Sequence, residues 1–205
     1  MLTRQRRLLA AIALVPLFSL AACSGTSSTS GSSTAEAGSS ASAAGPVSGE
    51  LTVFAAASLQ GAFEEIAQGV KEDNPDLTIT FNFLGSQDLV TALANGDAAD
   101  VLATANNSTM TDAANQSLVG EQTEFATNTL TLIVPKGNPA GITGLDSSLD
   151  GADLVICAPE VPCGEATEKL ATALGVTLNP VSEEQKVTDV RGKVESGEAD
   201  AGIVY

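Results

Sequence analysis

Leu51-Thr-Val-Phe-Ala-Ala-Ala-Ser-Leu59 changes character partway along its length. Leu51 to Ala57 is short, apolar and β-branched at Val53, the pattern of a buried strand. After Ser58 the apolar residues Leu59, Phe63, Ile66 and Val70 fall at helical spacing. The stretch reads as strand, turn and helix, with Ser58 where the helix N-cap belongs. A helix start leaves about four backbone N–H groups without internal partners and carries partial positive charge, so a small oxyanion there gains hydrogen bonds and dipole stabilisation. The capping-box position that would normally hold Glu or Gln is Gly61, which leaves the donors free. Two readings follow: an anion-binding corner, or a capped core helix with water on its N-terminus.

The same grammar recurs downstream. Thr78 to Phe83 alternates Ile79, Phe81 and Phe83 with Thr and Asn, which predicts a strand. It ends in Leu84-Gly85-Ser86, after which Leu89, Val90 and Leu93 take helical spacing up to Asn95-Gly96. Ser86 reads as a second cap, with Leu89 at N3, while Asp88 at N2 would compete with an anion for the dipole. Ala99 to Thr104 predicts a third strand and Met110 to Leu118 a polar helix. Alternating strands and helices imply a parallel α/β sheet with right-handed crossovers, whose ligands sit beyond the carboxyl ends of the strands. Ser58 and Ser86 both fall there.

Thr129 to Val134, closed by Pro135-Lys-Gly-Asn-Pro139, reads as a crossover into a second lobe. Asp153 to Cys157 predicts a buried strand, followed by a helix carrying Ala166, Leu170 and Leu174 and ended by Gly175. Thr188 or Asp189 is positioned to cap a short helix through Val190 and Val194 that stops at Gly197, and Ala201 to Tyr205 predicts the last strand.

The N-terminal region is of another kind. Arg4, Arg6 and Arg7 precede the nearly all-apolar Leu8 to Leu20, and Leu20-Ala-Ala-Cys23 follows, so residues 1–23 read as a bacterial export signal too short to span a membrane. The terminal cysteine resembles a lipobox, which implies lipid attachment at Cys23; the alternative is an ordinary signal peptide with an incidental cysteine. Residues 24–48, almost wholly Ser, Gly, Ala and Thr, read as a flexible tether. With Cys23 assigned to lipid, Cys157 and Cys163 remain, six residues apart in an oxidising compartment. They read as a disulfide or, alternatively, as a buried free Cys157 beside a solvent-facing Cys163.

The 205 residues carry a formal net charge of −16, and removal of the three signal arginines leaves 6 basic against 25 acidic residues, near −19. Nucleic acid and anionic lipid headgroups are poor partners for such a surface. A small anion is not excluded, because repulsion between solvated charges is screened within about 8 Å at physiological salt while aligned N–H and O–H dipoles act at contact. The resulting site would lack a formal positive charge, and no Lys or Arg lies near Ser58 or Ser86 in sequence. Catalysis is disfavoured: there is no His to serve a cysteine nucleophile or zinc, and the pairs Glu64-Glu65 and Glu183-Glu184 are adjacent rather than facing.

Six pieces then occur in one order: Leu51 to Leu59, Gly85-Ser86-Gln87, Ala99 to Ala105, Phe125-Ala-Thr-Asn128 with Leu132 to Pro139, Pro159-Glu-Val-Pro-Cys-Gly164, and Gly197 to Tyr205. In these the chain, from about Gly49 to Tyr205, resembles the molybdate-binding extracytoplasmic receptors of bacterial ABC importers. The resemblance implies a two-lobed, type II periplasmic-binding-protein-like α/β fold, with lobes at 49–127 and 128–205, that closes around a tetrahedral oxyanion. It implies a ligand held without a counter-cation by the hydroxyls of Ser58, Ser86 and Tyr205 and the backbone amides of Cys163 and Val190. Molybdenum would be met only as molybdate through these residues, and no cofactor is implied. The implied setting is a monomer, lipid-anchored on the extracytoplasmic face of the cell membrane, that binds molybdate or tungstate and delivers it to an ABC permease. Alternatives are another tetrahedral oxyanion such as sulfate, or an inert structural lipoprotein.

Three features depart from the family pattern. Cys163 stands where alanine is common, which matters little if only its N–H is used. The run from Val190 to Tyr205 is about three residues short, almost one helical turn. Family members also continue past the final tyrosine, so the first lobe is expected to be incomplete and the return crossover missing.

Overall fold

The structure, a computed structural model, describes residues 46–205. The expected export signal, Cys23 and nearly all of the expected tether lie outside the described residues. No helix among the described residues is long and apolar enough to cross a membrane.

Two sheets organise the chain. The first has the order β2-β1-β3, with β1 at Gly49–Ala56, β2 at Leu77–Leu84 and β3 at Val101–Ala103, all parallel. Ala55 pairs with Phe83 on one side and Ala103 on the other, so the carboxyl ends of the three strands are level. The apolar period-two pattern places Val53, Ala55 and Ala103 in a cluster with Phe63, Ile79, Phe81 and Phe83, against helix α1 (Gln60–Asp73). Helices α2 (Ser86–Ala94) and α3 (Asn107–Asn115) complete this half.

The second sheet has the order β4-β7-β5-β6, from β4 at Thr131–Ile133, β5 at Leu154–Cys157, β6 at Ser182–Glu184 and β7 at Ala201–Val204. Strands β5, β6 and β7 are parallel, but β4 runs antiparallel to β7, so this sheet is mixed rather than purely parallel. A chain entering from the first half as a strand rather than through a crossover helix meets the sheet edge head-on. Strand β6 escapes sequence reading because Ser-Glu-Glu has no apolar alternation. Helices α4 (Pro162–Leu174) and α5 (Val187–Ser196) end at Gly175 and Gly197, both left-handed at φ 66° and 79°, the conformation in which a Cβ is disfavoured.

The halves repeat one plan. Each is β-α-β-α-β with its first strand central among the parallel three, and each closes on an Ala-Asp pair before the third strand. Asp100 accepts the Thr52 N–H at 2.8 Å, and Asp200 accepts the Asp153 N–H at 2.9 Å.

Candidate functional site

The carboxyl ends of the strands lead into helix starts. Beyond β1 the chain enters a 3-10 turn, Ala57–Leu59, that runs directly into α1. Ser58 lies inside this turn and makes no capping bond; Ala56 and Leu59 hold the cap positions, correcting the expected N-cap at Ser58. At α2 the cap is Gly85, so Ser86 is the first helical residue and Asp88 falls at N3. The Asp88 and Leu89 amides both bond to the Gly85 carbonyl, while the first two amides of the helix have no intrahelical acceptor. Burial raises the pKa of Asp88, with Lys186 opposing, and the residue does not line the cavity described below.

Ser86 is 1% exposed. Its oxygen accepts the Ala105 N–H at 3.0 Å, and its O–H donates to no group among the described residues. A hydroxyl has one donor and two acceptor lone pairs, so this bond fixes the oxygen and leaves the proton free to donate.

At α4 the first residue is Pro162, which has no N–H, and the Glu165 amide closes the first turn onto Val161. Cys163 and Gly164 are left as the free donors. A disulfide joins Cys163 to Cys157, tying this helix start to the end of β5. Gly164 packs against the β5 end so closely that a Cβ there would lie 1.9 Å from the Ala158 carbonyl oxygen.

At α5 the sequence reading is one turn out. The helix starts at Val187 with Lys186 as cap, not at a capping Thr188 or Asp189. Val190 is 0% exposed and its N–H is spent on the Lys186 carbonyl at 3.4 Å. The free amides are those of Val187 and Thr188. Val187 is three residues before Val190, which removes the apparent shortening of the segment ending at Tyr205.

Four helix starts thus meet. A cavity of about 10 Å³, room for roughly one water, is lined by Ser58, Ser86, Cys163, Val187 and Tyr205 together with neighbouring backbone. Four of the five residues expected from sequence are brought together, and Val187 replaces Val190. None of the lining residues is charged. Ala57, Ser58, Ala105, Val187 and Tyr205 also face a larger open cleft of about 1110 Å³. Tyr205 is half-buried, and burial, with the Glu165 carboxylate second, pushes its pKa up to about 12. At neutral pH its hydroxyl therefore keeps its proton and can donate. Every group facing the cavity that sequence reasoning assigned to it is a neutral N–H or O–H donor.

Two sheets of this topology with a donor-lined cavity at the ends of their strands define a two-lobed binding protein of type II. Its relationship to known proteins agrees. The chain belongs to the family of bacterial extracellular solute-binding proteins, whose profile matches residues 51–205. The molybdate-binding protein ModA of Mycobacterium tuberculosis strain H37Rv is 47% identical over 166 residues, covering 79% of this chain and 64% of that protein. The chain thus spans just under two thirds of the length of the curated relatives it matches most strongly. Among solved structures, the substrate binding domain of a putative molybdenum ABC transporter from Clostridium difficile is 26% identical, with a TM-score of 0.53 over 76% of this chain and 71% of that one. The Azotobacter vinelandii periplasmic molybdate-binding protein superposes with a TM-score of 0.62 at 21% identity, over 75% of this chain and 70% of that one, a likeness of fold.

Proposed function

We propose that the protein captures a tetrahedral dianion, molybdate or tungstate, outside the cytoplasmic membrane and delivers it to an ABC permease, working as a monomer tethered through a lipid on Cys23. The lobes are residues 49–127 and 128–205, and the ligand sits between them, held by the hydroxyls of Ser58, Ser86 and Tyr205 and the amides of Cys163 and Val187. The observation that carries this reading is the convergence of four helix starts and three hydroxyls on one cavity without a charged lining residue. Partial positive charge from the helix ends suits an anion, and 47% identity to a protein named for molybdate selects among anions.

A donor-only site also discriminates by protonation. The hydroxyl of a monoprotonated phosphate would face donors and lose a hydrogen bond, whereas a fully deprotonated dianion accepts on every oxygen. Sulfate shares that property and is separated from molybdate and tungstate by size. A melting scan of the protein with each of the four anions tests this. Molybdate and tungstate should stabilise it by about 2.7 kcal/mol at a hundredfold excess over the dissociation constant. A shift with sulfate alone would transfer the site to sulfate, and no shift with any anion would reject the reading.

A further inference from the structure

A fifth helix start faces the cleft and is already occupied. Asn106 caps α3, its Oδ1 accepting the Thr109 N–H at 3.1 Å. Its Nδ2 donates to Glu165 Oε2 at 2.7 Å, and the Ser108 hydroxyl donates to the same oxygen at 2.6 Å. Glu165 belongs to the first turn of α4, in the other half of the chain, and its second oxygen pairs with Lys169 one turn along. A carboxylate from the second half therefore seats on the N-terminal end of a helix in the first half, where the helix dipole and two hydroxyl or amide donors favour it. Three of the four helix starts around the cavity carry a carboxylate in the first turn, Asp88, Glu165 and Asp189, but none of these lines the cavity.

We propose that Glu165 is a latch across the cleft, a positioning residue that holds the closed arrangement and so sets how fast the oxyanion leaves. This rests on the oxyanion reading above for its consequence, although the latch itself is measurable without ligand. Two effects of opposite sign are available to a carboxylate beside an anion site. Repulsion of the dianion would make Glu165 unfavourable to binding, but Lys169 and two donors already satisfy its charge, and its side chain, about one third exposed (32%), is screened by solvent. The latch acts through two bonds that join residues of the two halves directly.

The test uses the full-length chain with nitroxides attached by click chemistry at the exposed positions Gln68 in α1 and Glu168 in α4. Electron–electron distances are measured without ligand, and molybdate release is measured in parallel. Glu165→Ala should broaden the distribution toward longer distances and speed release about tenfold, a modest figure for hydrogen bonds to a partly exposed charge. Glu165→Gln, which keeps an acceptor, should restore part of the effect. Ser108→Ala, on the opposite side, should open the cleft in the same direction, and Lys169→Ala, which touches only α4, should not. A distance distribution unchanged in Glu165→Ala, or tighter binding without opening, overturns the latch. Failure of the parent protein to bind any oxyanion would instead sink the proposed ligand, leaving the distance result to stand by itself.

Discussion

Ser86 and Ala105 meet across the end of the first sheet, the hydroxyl oxygen of one accepting the N–H of the other at 3.0 Å. One side chain thereby satisfies a backbone donor beside the cavity and keeps its own proton free to donate. Ser58, in contrast, is exposed and bonded to nothing among the described residues.

The two serines should therefore separate on substitution. Ser86→Ala should weaken oxyanion binding by about 1–3 kcal/mol and also destabilise the fold by a similar amount, because the Ala105 N–H loses its acceptor. Ser58→Ala should weaken binding with little change in melting temperature. Calorimetric titration paired with thermal unfolding checks both; equal stability losses would place Ser58 in a structural role.

Val187→Pro removes one N–H at the first position of α5, where proline is tolerated, and Lys186 before it is already extended at φ −138° and ψ 140°. The helix should persist while affinity falls by about 1–3 kcal/mol. Unchanged affinity by titration would return the donor role to another amide.

Replacing Cys157 and Cys163 together by alanine should lower stability by about 2 kcal/mol, the chain-entropy value for so short a loop. Denaturant unfolding measures it. Affinity in the folded protein should change little, since Cys163 offers only its N–H.

Acid should loosen the second half first. Glu184 is held below the usual carboxylate range chiefly by its bond from Lys193, and Glu165 chiefly by its bond from Lys169. A depressed folded value contributes stability present above the unfolded value of 4.5 and lost as pH falls through the folded value. Asp88, raised by burial, has the opposite sign and favours the folded state at low pH. Unfolding monitored against pH should show the loss below about pH 4.5, and Lys193→Met should flatten it.

Where the apolar pattern was strong, the sequence was legible. Strands β1, β2, β5 and β7 and both glycine-ended helices follow from Val53, Phe81, Ile156, Gly175 and Gly197. What escaped was decided by tertiary structure. Strand β6 exists because Glu183 and its neighbours pair with β5, not because of any propensity of their own. The α5 start differs from the expectation because Thr188 and Asp189, both good cap residues, fall inside the helix, and Val190, the donor that the resemblance implies, is a core residue. A free amide has no side-chain signature; only the position of Lys186 as cap reveals that Val187 is the one left without a partner. Glu165 was likewise silent, since its partners Asn106 and Ser108 lie 57 to 59 residues away.

The dianion is placed at the corner framed by the helix starts, where the uncharged lining of the small cavity opens into the larger cleft. Crystals grown with tungstate and measured at the tungsten absorption edge locate that ion directly. One dominant anomalous peak is expected within hydrogen-bond distance of Ser86 Oγ, Tyr205 Oη and the amides of Cys163 and Val187. A peak beside a lysine or arginine, or none between the two sheets, would contradict it.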